Sequence, residues 1–113
     1  MPTLRESTTA VVIRGEHVTD GFTSEPYEAG WAIEAVLFLR LLAPPVRPGG
    51  MIRLELSADG FNWATDGEPV ALPKAEGEVV FRRIGHFGNW LRLRLEMAEG
   101  STVQLLATLH LKG

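Results

Sequence analysis

The stretch of sequence that decides the fold is Trp-Leu-Arg-Leu-Arg-Leu-Glu-Met, residues 90–97. Leucine or methionine occupies every second position, and the positions between them carry mostly charged side chains. Successive side chains of a β-strand point to opposite faces, whereas the apolar face of a helix repeats about every 3.6 residues. The alternation therefore predicts a strand with one face in the core and the other in water.

The segments around this strand follow the same rule. After a turn at Glu99-Gly100, apolar residues alternate from Val103 to Leu111, with Leu106 as an exception in the polar row. Further strands are predicted at 10–14, at 51–57 and, more loosely, at 78–84 with Val79 and Phe81 as its apolar positions. Turn signals separate these segments: Asp20-Gly21, Asp59-Gly60, Asp66-Gly67 and the stretch 44–50, which is rich in Pro and Gly.

The segment 31–42 is ambiguous, because it is rich in helix-forming residues and Ser24 could cap a helix that begins near Pro26. Alternation favours a strand, since every odd position from Trp31 to Leu41 is apolar. The even positions mix charged residues with Val36, Phe38 and Leu42. This second face is too apolar for open solvent, and we predict that these three residues form a partner interface.

Length and composition predict one domain spanning residues 1–113, with residues 1–7 as a flexible arm. The chain is 45% apolar and 22% charged, and it can bury one core at this length. It has no cysteine, which excludes disulfides and thiolate metal sites. Seven to eight short strands separated by turns are typical of an all-β, antiparallel β-sandwich, here of the jelly-roll kind.

Charge and motif content narrow the function classes. The net charge of −3, with both signs interspersed, predicts no nucleic-acid partner. The outward arginines, Arg53, Arg92 and Arg94, share their strand faces with glutamates, so we expect cross-strand ion pairs rather than a basic stripe. The amino terminus lacks the pattern of a signal peptide, and no stretch is long and apolar enough for a membrane span. We expect a cytoplasmic or particle-associated protein.

No catalytic or cofactor-binding motif occurs in the sequence, and the three histidines do not show the spacing of metal ligands. We therefore expect no enzyme, no cofactor and no metal. His86 is the histidine of most interest, because it stands in the Gly-flanked segment 85–89 beside an aromatic residue.

The most distinctive local pattern is Ser-Ala-Asp-Gly-Phe-Asn-Trp at residues 57–63. Asp59 can accept hydrogen bonds from amides of its own turn, Gly60 suits a positive φ, and Trp63 can lie over the hairpin as an apolar lid. This interpretation makes the motif a folding device. A ligand site at the loop is the alternative.

The motif also carries a resemblance that covers the chain from about Thr8 to Lys112. The chain resembles a group of small, mostly uncharacterised β-sandwich domains of phages and bacteria that share the Ser-x-Asp-Gly-x-x-Trp hairpin. The other matching segments are the apolar strand after Gly30, Phe-Gly-Asn-Trp-Leu-Arg at 87–92 and the alternating end at 109–112. The resemblance implies a virion or particle accessory component.

Two functions remain as hypotheses. The first is a structural or interaction module that self-assembles or docks on a larger protein particle through the second face of the 31–42 strand. The second is a carbohydrate-binding module, in which aromatic faces near loops stack on sugar rings. Its candidate ligand residues are Asp59, Asn62, Trp63, His86 and Trp90. We expect the three tryptophans to belong to the core instead, which favours the first hypothesis.

Overall fold

The computed structural model describes residues 7–113, and every regular element within that range is a β-strand. The nine strands are β1 (Ser7–Val18), β2 (Tyr27–Glu28), β3 (Glu34–Leu41), β4 (Gly50–Ser57), β5 (Ala64–Thr65), β6 (Val70–Ala71), β7 (Val79–Gly85), β8 (Trp90–Met97) and β9 (Val103–Lys112). Seven to eight were predicted. The count is higher because β5 and β6 each pair separately with β4 and are therefore two strands. These strands and β2 are only two residues long, too short to show alternation in the sequence.

The strands form two antiparallel sheets. Sheet A has the order β1-β9-β3-β7, and sheet B has the order β2-β8-β4-β5, with β6 also paired to β4. Neighbours in sheet A are far apart in sequence, so the central strands β9 and β3 are held by pairings that only the complete fold can make.

The apolar rows of both sheets enter one core. Its fully buried leucines include Leu37, Leu39, Leu41, Leu105, Leu109 and Leu111 from sheet A and Leu54, Leu91, Leu93 and Leu95 from sheet B. These residues are the alternating positions identified in the sequence, because a strand with one buried face places every second side chain inside. The prediction of an all-β, antiparallel, sandwich-like architecture is confirmed.

The first part of the predicted 31–42 strand is wrong. Residues 29–32 form a turn, in which the Ala32 amide donates to the Ala29 carbonyl oxygen at 3.0 Å, and β3 begins only at Glu34. Trp31 and Ile33 consequently leave the apolar row, and their side chains are 37% and 71% exposed. Gly30 lies in this turn next to Asn89, and a Cβ atom at its position would lie 2.7 Å from Asn89 Oδ1.

Strand β1 is longer than the predicted segment 10–14, because it pairs with β9 along its whole length. The register shifts at Val12 and at Gly15, and these two bulges bring Ile13 and Val18 onto the core face. Ser7 is the first residue of β1 rather than part of a flexible arm, and residues 1–6 of that predicted arm lie outside the described range. No helix of residues 7–113 has the length and apolarity required to cross a membrane.

Candidate functional site

The outward-facing side of sheet A is the candidate site, and we call it the outer A face. The strand register places side chains of all four strands on it in rows, and the middle row runs Val11, Thr108, Phe38, Phe81. The apolar residues of the outer A face are Val11, Val36, Phe38, Val79, Phe81 and Leu106. Apolar side chains therefore lie on both sides of sheet A, as the second face of the 31–42 segment indicated.

Three aromatic rings form the centre of this face. Phe38 and Phe81 have ring centroids 5.9 Å apart, and the His110 ring meets Phe38 edge-on at 4.9 Å. Phe81 is 51% exposed and Val79 is 54% exposed. No strand or loop of residues 7–113 covers them, so the outer A face leaves an apolar patch in water.

The structure corrects the prediction for strand β7. Val79 and Phe81 were expected on its core face, but their register partners Arg40 and Phe38 place them outside, and Ile84 lies in the core instead. The alternation of this segment is weak because β7 carries apolar side chains on both faces.

The three predicted interface residues are only partly brought together. Val36 and Phe38 are adjacent outward positions of β3, and both are half-buried. Leu42 follows the end of β3 and packs beside Gly15, where a Cβ atom would approach its Cδ1 to 2.8 Å. The face thus centres on Phe38 and extends to Phe81 on β7, a residue that was expected in the core rather than at an interface.

The outer A face is also basic. The register places Arg14, Arg40, Arg83 and Lys112 on it, together with a single acid, Glu34. None of these five side chains takes part in an ion pair with another described residue. The other described residues include six basic and twelve acidic side chains, so positive charge is concentrated on this face.

The outer face of sheet B has the opposite character, because its charges are paired. Arg92 Nε donates to Glu55 Oε1 at 2.7 Å, Arg94 Nη2 donates to Glu96 Oε1 at 3.3 Å, and Arg53 also pairs with Glu96. The Glu96 carboxylate raises the pKa of Arg53 above its usual value. The predicted cross-strand ion pairs are confirmed, and each of these three arginines has a glutamate partner.

The hairpin motif at 57–63 is a self-contained turn. Asp59 Oδ1 accepts hydrogen bonds from the amides of Phe61 at 2.8 Å and Asn62 at 2.9 Å, and Oδ2 accepts one from Asn62 Nδ2 at 2.8 Å. Ser57 Oγ accepts the Gly60 amide at 2.8 Å, and Gly60 has a φ of 82°. The predicted bonding of Asp59 to amides of its own turn is confirmed. These bonds lower the pKa of Asp59 well below its usual range.

This pKa shift predicts a pH-dependent role for Asp59. A carboxylate whose pKa is lowered by folding stabilises the native state above its unfolded pKa, and that contribution is lost as the pH falls through the folded pKa. Replacing Asp59 by alanine should therefore lower the melting temperature most at neutral pH. The difference between the two melting temperatures should be constant above about pH 4 and should shrink progressively as the pH falls below that value. Glu76→Gln, at an exposed loop acid, is the control, and a pH-independent difference for Asp59→Ala would contradict this role.

The candidate ligand residues of the carbohydrate hypothesis do not all face one site. Asn62 is bound to Asp59, and Trp63 lies under the Arg92 guanidinium, 4.2 Å from its ring centroid. His86 is an exposed loop residue with a φ of 54°. Trp90 packs over Gly60 beside a hollow of about 210 Å³ lined by Pro26, Asp59, Gly60, Phe61 and Trp90.

The tryptophans are not core residues, contrary to expectation. Trp63 and Trp90 are half-buried on the outside of sheet B, and Trp31 lies in the turn before β3. The sequence reasoning also missed Phe61, which is 86% exposed at the tip of the hairpin. The sequence signal for this exposure is the place of Phe61 directly after Asp59-Gly60, within the tight turn in which the amides of Phe61 and Asn62 both donate to Asp59 Oδ1.

Comparison with known proteins does not assign the chain to a family. No protein-family model matches the sequence, and a search of curated proteins gives no match either.

Proposed function

We propose that the protein is a non-enzymatic interaction module that docks on a protein partner through the outer A face. The observation that carries the proposal is the exposed apolar centre around Phe38 and Phe81 in a chain whose other long apolar rows are buried. Exposed contiguous apolar surface costs solvation free energy, and covering it with a partner recovers that free energy. The surrounding cations would add specificity and steer the encounter.

We further propose that the fold is a jelly roll. If β5 and β6 are two pieces of one strand, residues 7–113 form eight strands. The first then pairs with the last, the second with the seventh, the third with the sixth and the fourth with the fifth. This pairing of the first strand with the last, and so on inward, results when one long antiparallel hairpin of four strand pairs folds over to form two sheets. Jelly rolls are used in viral capsid and lectin domains. Together with the resemblance to phage and bacterial domains, the topology supports a virion or particle accessory role.

The docking proposal predicts a loss of association for Phe81→Ser. The substitution removes the exposed ring at the centre of the face, and an aromatic residue at an interface centre contributes about 2 kcal/mol or more. Sedimentation velocity should show that the wild-type chain associates. The partner is either a second copy of the chain or a protein that co-purifies with the chain and is then mixed with it again in purified form. The Phe81→Ser variant should sediment as a monomer.

The matched control is Phe61→Ser, which removes an exposed phenylalanine at the hairpin tip, beside Trp90 of sheet B. This variant should associate as the wild type does. A wild-type chain that stays monomeric at high concentration and has no co-purifying partner would overturn the proposal, as would equal association of the two variants.

A carbohydrate-binding role is a second candidate, supported by one observation. The exposed ring of Phe61 and the half-buried Trp90 line one small hollow, and such a pair can stack on a sugar ring. The same two variants distinguish the roles. On a glycan array, Phe61→Ser would lose a wild-type signal that Phe81→Ser retains. The absence of any wild-type signal would exclude this candidate.

A further inference from the structure

A hollow at one end of the outer A face combines apolar and cationic groups. It has a volume of about 510 Å³, and its lining includes Val36, Phe38, Arg83, His110 and Lys112. Val36 and Phe38 supply an apolar floor at adjacent outward positions of β3. A volume of this size and a mostly apolar lining with a few polar groups are typical of a site that binds a side chain or a small ligand.

Arg83, one of the two cations of this hollow, has no carboxylate at ion-pair distance among residues 7–113, although Glu34 also lines the hollow. Arg83 lies over the Phe81 ring, 5.3 Å from its centroid, and forms no ion pair with a residue in the range 7–113. On the outer face of sheet B, in contrast, Arg53, Arg92 and Arg94 each have a glutamate partner. The guanidinium of Arg83 is therefore held in place by the ring and leaves its donors for an external acceptor.

Histidine 110 closes one side of the hollow and is positioned by its neighbours. Its Nδ1 lies 3.2 Å from Thr9 Oγ1, its Nε2 lies 3.3 Å from Thr108 Oγ1, and its ring edge packs on Phe38. Glu34 is the single acid of the lining, and its register partner is Lys112 rather than Arg83. Among residues 7–113, no carboxylate lies within ion-pair distance of Arg83, and Glu34 is its diagonal neighbour across β3 and β7.

We propose that this hollow binds a segment of the partner protein in which a large apolar side chain stands next to a carboxylate. The apolar side chain would cover Val36 and Phe38, and the carboxylate would receive hydrogen bonds from the Arg83 guanidinium. The proposal rests on the docking function above and adds the chemistry of the partner.

Charge complementarity favours such a partner over a second copy of this chain. The outer A face presents four basic side chains and only Glu34 as an acid, so two identical faces would repel each other. A partner surface with carboxylates around an apolar residue would match both the centre and the rim of the face.

The test is a titration of the ¹⁵N-labelled full chain with two capped peptides, Ac-Gly-Phe-Glu-Gly-NH₂ and Ac-Gly-Phe-Gln-Gly-NH₂, followed by NMR. The glutamate peptide should shift the amide signals of Val36, Arg83 and His110, and it should bind about three-fold more tightly than the glutamine peptide. In Arg83→Gln the two peptides should bind equally. In Lys74→Gln, which removes a charge outside the lining, the preference should persist.

Four results would overturn the proposal. They are equal binding of the two peptides to the wild type, a preference that survives Arg83→Gln, shifts confined to other surfaces, and tighter binding of octanoate or of a thymidine decanucleotide at the same residues. The last result would assign the hollow to a free amphiphile or to a single-stranded nucleic acid. If the peptides fail but Phe81→Ser still abolishes association, this inference is wrong and the docking function stands.

Discussion

Replacing Leu54 by alanine should lower the free energy of unfolding by about 2–5 kcal/mol. Leu54 is fully buried at the middle of β4 and pairs with the buried Leu93 of β8, so the substitution removes three carbon atoms where the two sheets meet. The expected loss combines the transfer free energy of the missing atoms with the cost of the cavity left behind. For a domain of this length, the melting temperature should fall by roughly 10–20 °C.

Urea unfolding, followed by far-UV circular dichroism, measures this loss. Met51→Ala is the control, since Met51 lies in the same strand but is exposed, and its substitution should cost less than about 1 kcal/mol. Similar losses for the two variants would mean that the apolar row of β4 does not form the core described here.

The second large effect is expected for Glu55→Ala. The Glu55 carboxylate is largely buried on the outer face of sheet B, where it accepts a hydrogen bond from Arg92 and lies 3.8 Å from Arg94 Nε. Its removal leaves two arginines without this partner. Breaking a fully buried ion pair lowers the free energy of unfolding by about 3–5 kcal/mol. Because the guanidinium groups of Arg92 and Arg94 are both partly exposed, we expect a loss of about 1–2 kcal/mol.

A spectroscopic signal should accompany this loss. Arg92 packs over the ring of Trp63 in the wild type, and the loss of its carboxylate partner frees it to move. The tryptophan emission of Glu55→Ala should therefore change under native conditions. Glu25→Gln, at an exposed acid, is the control for both readouts. Wild-type stability and emission in Glu55→Ala would show that the ion pairs of Glu55 contribute nothing.

The sequence predicts the one-sided strands best. The alternation at 90–97 and 103–111 identifies β8 and β9 and their buried faces, because one face of each strand is consistently apolar and the other polar. The same argument places Arg92 beside Glu55, since both lie on the polar faces of strands that pair. These are local patterns that the tertiary structure preserves.

The two-sided strands are where sequence reasoning fails. Phe81 and Val80 are neighbours with equally apolar side chains, and only the pairing of β7 with β3 decides that Phe81 faces outward. The concentration of Arg14, Arg40, Arg83 and Lys112 on one face depends in the same way on pairings between strands far apart in the chain. Composition alone gives a net charge of −3 and hides this basic surface.

The central claim is that the outer A face is covered when the protein is docked. Hydroxyl-radical footprinting tests it directly, because the oxidation rate of a side chain reports its access to solvent. The oxidation rates are measured on the isolated chain and on the same chain in its associated state. The oxidation rate of Phe81 should be several-fold lower after association, while that of Phe61 should stay the same. An unchanged rate for Phe81, or protection of Phe61 alone, would contradict the account.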